Sequence, residues 1–167
     1  LLDTSGTYSQ QLDKAQRVIQ YVLTRMRPGD SFAVARIDTG SFSGRDIIAK
    51  QTFDDRPSVA NQQKRAFQTE VEKFLDGVKA SPYTDITGGV LQATEWLDEK
   101  RVENKTVLVF SDMQEELEEG YKRDIQLNLR GYEVVALNVV KLRPENRNPQ
   151  RYLDRLQRWR ERVESSG

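Results

Sequence analysis

The run Lys105–Phe110, KTVLVF, sets the tightest constraint on this chain. It is short, β-branched and apolar without alternation, the pattern of a strand covered on both faces in a parallel sheet. A parallel neighbour needs a crossover, usually a helix. The rest of the sequence offers both parts. Residues 31–37 (SFAVARI), 47–53 (IIAKQTF) and 132–140 (YEVVALNVV) are further strand-like runs. Leu12, Ala15, Val18, Ile19, Val22, Leu23 and Met26 keep helical spacing until Arg27-Pro28-Gly29 stops them. A second helix opens at Pro57-Ser58, with Phe67, Val71, Phe74, Leu75 and Val78 as its stripe. A third spans about 87–100 on Val90, Ala93, Thr94 and Leu97. The last opens at Asn148-Pro149, a capping and first-turn pair, and turns Leu153, Leu156, Trp159 and Val163 inward. Residues 125–129 (IQLNL) fit a strand or a short helix equally.

Strands alternating with helices predict an α/β chain. The expected architecture is a three-layer, doubly wound, Rossmann-like fold with helices on both faces. Its central sheet is mostly parallel, with one antiparallel edge strand from the hairpin of 31–37 and 47–53. The 167 residues suit a single domain, 1–167. Leu1-Leu2 reads as the end of a first strand, and a closing strand is expected after the last helix. The domain therefore reads as truncated within its first strand and before its last.

Composition narrows the chemistry. There is no cysteine and no histidine, which excludes disulfides, zinc-thiolate sites and the Ser-His-Asp arrangement. Lysine plus arginine and aspartate plus glutamate balance at 26 each, so no global charge points to nucleic acid or a membrane surface. No run of about 18 apolar residues exists to form a transmembrane segment. Any site must be built from carboxylates, hydroxyls, amides and backbone, a set suited to Mg²⁺, Mn²⁺ or Ca²⁺.

Ligands of doubly wound folds bind beyond the carboxyl ends of the strands. Three polar loops are expected there: DTSGT after Leu1-Leu2, YTDITGG at residues 83–89, and SDM at residues 111–113. Together they offer Asp3, Ser5, Thr7, Thr84, Asp85, Thr87 and Asp112, which are carboxylates and hydroxyls only.

Asp3-x-Ser5-x-Thr7, the Thr84-Asp85 loop opening a helix, and Ser111-Asp112 after an apolar strand resemble a von Willebrand factor type A domain. The likeness covers nearly the whole chain. It implies a metal-ion-dependent adhesion site in which Ser5 and Thr7 ligate the metal through hydroxyls. Asp3 and Asp112 would orient ligands or coordinating waters, and Thr84 would bind directly or through water. The metal implied is Mg²⁺, or Mn²⁺ or Ca²⁺ in its place. The partner implied is a protein offering an Asp or Glu carboxylate to complete the metal's shell, with no enzyme activity. Thr7 stands where the family has serine, and keeps the hydroxyl. Met113 stands where glycine is common, and is expected to bring bulk beside the site.

Two other readings accompany this one. LLDTSGT misses the Asp-x-Asp-Gly-Thr nucleophile motif of haloacid-dehalogenase-type phosphatases by one residue. Ser5 stands where that Mg²⁺-dependent chemistry needs a second carboxylate to shuttle the proton. The third reading is an interaction domain with a vestigial metal site. Blander assignments cover the remaining residues. Asp85 reads as a first-turn residue, Asp38 as a solvated turn residue, and EELEEGY (Glu115 to Tyr121) as a solvated loop. The arginines of the last helix read as a solvated face rather than a nucleic-acid surface.

Overall fold

The computed structural model describes residues 1–6, 8–37, 44–121 and 125–167. Four strands and four α-helices are described: α1 (Leu12–Arg25), β1 (Ser31–Ala35), β2 (Ile47–Thr52), α2 (Pro57–Gly77), α3 (Ile86–Glu99), β3 (Lys105–Phe110), β4 (Tyr132–Leu137) and α4 (Pro149–Glu164). The helices follow their stripes except at Leu153 of α4, expected inward but 54% exposed. α1 buries Leu12, Ala15, Ile19 and Leu23, then leaves the helix at Met26, ahead of Gly29 at a φ of 87°. α2 starts on Pro57, whose missing N–H costs nothing in a first turn. It lays Phe67 against Phe32 at 5.1 Å and Phe53 at 6.5 Å between ring centroids, covering one hairpin face.

The sheet differs from expectation. β1 and β2 form one two-stranded antiparallel sheet, with an irregularity between Val34 and Ala35. β3 and β4 form a separate two-stranded parallel sheet, in register from Lys105↔Tyr132 to Phe110↔Leu137. Among the described residues there is no central multi-strand sheet, so the doubly wound, mostly parallel expectation is not met. The reason lies at Leu1-Leu2, where a central strand was expected. Leu2 bridges Arg36 on one side and Phe110 on the other, both in the parallel sense, but as isolated pairs. A ladder needs successive pairs, and Asp3-Thr4-Ser5 turns away at once. Between β1 and β3 lies an apolar groove of about 660 Å³, lined in part by Leu1, Phe32, Ala35, Trp96 and Leu108.

The missing sheet shows in burial. Val107, Val109 and Phe110 of β3 are buried, but Leu108 is half-buried and lines the groove. No residue of β4 is fully buried, against the expectation for that run. Residues 125–129 are neither strand nor helix, yet Leu127 and Leu129 are buried in the core beneath α3 and β3. A second core joins Leu2, Tyr8, Ile19, Phe53, Phe67, Val71 and Phe110.

α4 is fixed by chemistry that its sequence hid. Arg155 is 2% exposed and grips Glu145, with Nε to Oε1 at 2.9 Å and Nη2 to Oε2 at 2.6 Å. Nη2 also donates to the Val140 carbonyl at 3.2 Å. Arg155 is therefore no part of a solvated arginine face, although Arg151, Arg158 and Arg160 are exposed. Among the described residues, no helix is long and apolar enough to cross a membrane.

α3 comes unusually close to the end of the hairpin. A Cβ on Gly89 would overlap Cγ2 of Ile37, itself buried. Gly89→Val should therefore destabilise the chain by about 1–3 kcal/mol or more, the usual cost of overpacking. Urea unfolding would show it, and an unchanged midpoint would contradict this packing.

Candidate functional site

Backbone pairing delivers Asp3 to its place. Leu2 N–H donates to Ala35 O at 2.7 Å, and Ile37 N–H donates back to Leu2 O at 2.9 Å. On the other side, Phe110 N–H donates to Leu1 O at 2.9 Å and Asp3 N–H to Phe110 O at 3.0 Å. Asp3 thus emerges where β1 and β3 end, 1% exposed. Its Oδ1 accepts from Ser5 N–H at 2.9 Å, which tightens the first loop into a side-chain turn. Its Oδ2 accepts from Ser111 Oγ at 2.6 Å, a charge-assisted bond that draws the third loop onto the first. Both carboxylate oxygens are engaged, so Asp3 organises two loops.

The second loop is stitched in by backbone. Gly6 N–H donates to Ser81 O and Ser81 N–H to Thr4 O, each at 3.0 Å. Thr84 exchanges both backbone bonds with Glu116, at 2.7 and 2.9 Å. Asp85 N–H donates to Ile37 O at 3.0 Å. Asp85 Oδ1 accepts from Gly88 N–H at 2.7 Å and caps α3, so the helix-start reading of Asp85 holds. Thr84, Asp85 and Thr87 are all buried.

In the third loop Asp112 is 3% exposed, and its Oδ1 accepts from Gln114 N–H at 2.8 Å. Burial pushes its carboxyl above the usual aspartate range. The Gln114 bond opposes that shift, Asp3 and Glu116 add to it, and the Arg155 guanidinium opposes it. Met113 takes a left-handed φ of 65°, a conformation that favours glycine. Its side chain is buried among Ile86, Val109 and Leu127, so it does not crowd the site as expected.

These bonds join Asp3 to Ser5 and Ser111, and Asp3 lies close enough to Asp112 to act on its charge. Asp3, Ser5, Thr84, Thr87 and Asp112 are each buried or at the edge of burial. Thr7 and Asp38 lie outside the described residues. Among the described residues no group of three or more carboxylates stands ready to hold a metal, so a cation here would depend on hydroxyls. The hydroxyl of Thr87, 0% exposed, has no hydrogen-bond partner among the described residues. Buried carboxylate and hydroxyl oxygens of this kind are the donor types that a hard cation takes.

Several participants escaped the sequence reading. Glu115 was expected to be solvated, but its Oε1 accepts from Thr87 N–H at 2.7 Å and its Oε2 lies 3.6 Å from Arg162 Nη1. The exposed Glu116, Glu118 and Glu119 keep the solvated description. Tyr8, fully buried, donates to Asn138 O at 2.8 Å and accepts from Asn138 Nδ2 at 2.7 Å. Asn138 has a φ of 55° just beyond β4. An asparagine interrupting an apolar run was the one available hint of this left-handed position.

Comparison with protein-family models, with curated proteins and with solved structures found no match to this chain.

The raised pKa of Asp112 gives a signed expectation. Its folded value exceeds its unfolded value near 3.8, so the folded state takes up the proton first. The cost of the charged form is complete above the folded pKa and gone below the unfolded one. Asp112→Asn should raise stability at pH 7 in chelator-containing buffer by roughly 0.5–2 kcal/mol. The gain should shrink as pH falls through the folded pKa of Asp112. Urea midpoints across pH 4–8 test this, and a pH-independent gap would rule out the charge as its source.

Proposed function

We propose that this chain is a protein-interaction domain whose three-loop cluster binds a divalent cation, Mg²⁺ or in its place Mn²⁺ or Ca²⁺. The observation that carries the reading is the Ser111–Asp3 bond, which closes the third loop over the first and gathers two buried carboxylates with hydroxyls. The resemblance to von Willebrand factor type A motifs supports it through the same residues. Asp3, Ser5, Thr84 and Asp112 would hold the metal, and Thr7 belongs to the set by the sequence motif. A cation bound mainly through neutral hydroxyls keeps uncompensated positive charge. An Asp or Glu carboxylate of a protein partner would complete its shell, and the contact strengthens as the interface sheds water.

The chain's own residues set the conditions for this. Asp3 keeps the first and third loops together through both of its oxygens. Asp112, destabilised as an anion by burial and by Asp3, gains most from a cation nearby. Catalysis is not part of the reading, because a hydroxyl at Ser5 cannot take the proton-shuttling role of a second aspartate.

Calorimetric titration with MgCl₂ and MnCl₂ tests the proposal. Wild type should bind one cation. Asp112→Ala should bind none, and Ser5→Ala should bind about 10–100-fold more weakly. Absence of binding to folded wild type would sink the metal reading.

A further inference from the structure

The inner face of α4 reaches the loop of Asp112 at three successive turns. Arg155, Trp159 and Arg162 stand at positions i, i+4 and i+7, which share one side of a helix. Arg155, anchored on Glu145, attracts Asp112 without a hydrogen bond to it, and its buried Nη1 has no partner among the described residues. Trp159 Nε1 donates to the Met113 carbonyl at 2.7 Å. Arg162 sits over the Trp159 ring at 5.4 Å and pairs with Glu115 at 3.6 Å. Glu115 in turn caps the amide of Thr87 at the start of α3. One helix therefore holds the loop at Met113 and at Glu115, and through Glu115 it also reaches the second loop.

We propose that Trp159 and Arg162 are positioning residues of the candidate site: α4 holds the Asp112 loop and the α3 start in register through Met113 and Glu115. The consequence for cation affinity rests on the metal reading above; the holding of the loop does not. Two features set this apart from ordinary packing. Met113 is kept in a left-handed conformation, which persists only where its surroundings hold it. Beside the core packing of its side chain, the Trp159 bond supplies a hold at its carbonyl. And the Glu115 carboxylate serves two elements at once, so releasing Arg162 loosens the cap on Thr87 as well as the loop.

The test compares Trp159→Phe, which keeps an apolar ring but loses the donor, with Val163→Ala. Val163 packs on the core from the same helix, and no bond from it to the loop is found among the described residues. Hydrogen exchange is read at the amides of Thr87, Met113 and Gln114, each bonded within these loops. Trp159→Phe should speed exchange at these amides by about fivefold, the change in opening that one net hydrogen bond supports. Amides of β3 should not change, and Val163→Ala should leave the loop pattern intact. MnCl₂ affinity should fall by a similar factor in Trp159→Phe. Arg162→Gln provides the same comparison at a half-exposed position if Trp159→Phe does not fold. Unchanged loop exchange, or equal loosening by Val163→Ala, overturns the proposal. If wild type takes up no Mn²⁺, the metal reading falls, and the exchange data still decide whether α4 positions the loop.

Discussion

The double pairing of Leu2 is the contact on which the rest depends. Leu2 itself bonds to Ala35 and Ile37 at the end of β1, and its neighbours Leu1 and Asp3 bond to Phe110 at the end of β3. Among the described residues these two sheets share no ladder, so Leu2 and its neighbours carry the backbone connection between them. The next residue is Asp3. Its position beyond both strand ends is a direct result of that pairing, and its two oxygens then recruit Ser5 and Ser111. A backbone bond thus places a side chain, and the side chain places the loops. The order matters energetically. Buried backbone groups must be paired in any case, so the carboxylate is positioned at little added cost. Burying its charge is the expensive step, and the two hydrogen bonds to its oxygens offset that cost.

Helices were legible in the sequence and the sheet was not. Apolar residues at helical spacing identify a buried face whatever lies opposite, so α1 through α4 follow from their stripes within a residue or two. A strand's apolar run says that it is covered, not by which neighbour. KTVLVF reads as one strand of a broad parallel sheet, but among the described strands it forms a ladder with β4 only. Its other edge meets Leu1 and Leu2 and then the apolar groove. Half-burial of Leu108 records the difference. The antiparallel pairing of residues 31–37 with 47–53 was legible because two adjacent β-runs separated by a turn have few other options.

The candidate site was legible as a list of residues but not as a network. Motif spacing singled out Asp3, Ser5, Thr84 and Asp112, and the fold buries all four. Nothing in spacing could reveal that Glu115, one of four glutamates in a polar stretch, turns inward to cap α3. Nor could it separate Arg155 from its exposed neighbours. Helical position places Arg155 on the inner face with Trp159, but a charge there is unfavourable until a partner is known. Glu145, ten residues earlier and preceding the helix, is that partner. Long-range ion pairs of this kind leave no periodic trace, because either residue alone reads as solvated.

Met113 joins these levels. Read as sequence, a bulky residue in place of glycine beside Asp112 suggests obstruction. In the fold, the backbone takes the left-handed conformation that glycine would favour, and the side chain is buried in the core. The two facts are coupled. A non-glycine residue at positive φ costs of order 1–3 kcal/mol. Burying a methionine side chain returns about 1.5–3 kcal/mol relative to exposure. Core packing can therefore hold Met113 in a conformation its backbone would not choose. The Met113 carbonyl is thereby presented to Trp159, while Asp112 before it and Gln114 after it close a side-chain turn. Replacing Met113 by glycine would relieve the backbone and forfeit the packing. The Asp112 loop would keep its shape as a preference but lose what fastens it to the core, which makes the methionine a structural anchor for the carboxylate beside it.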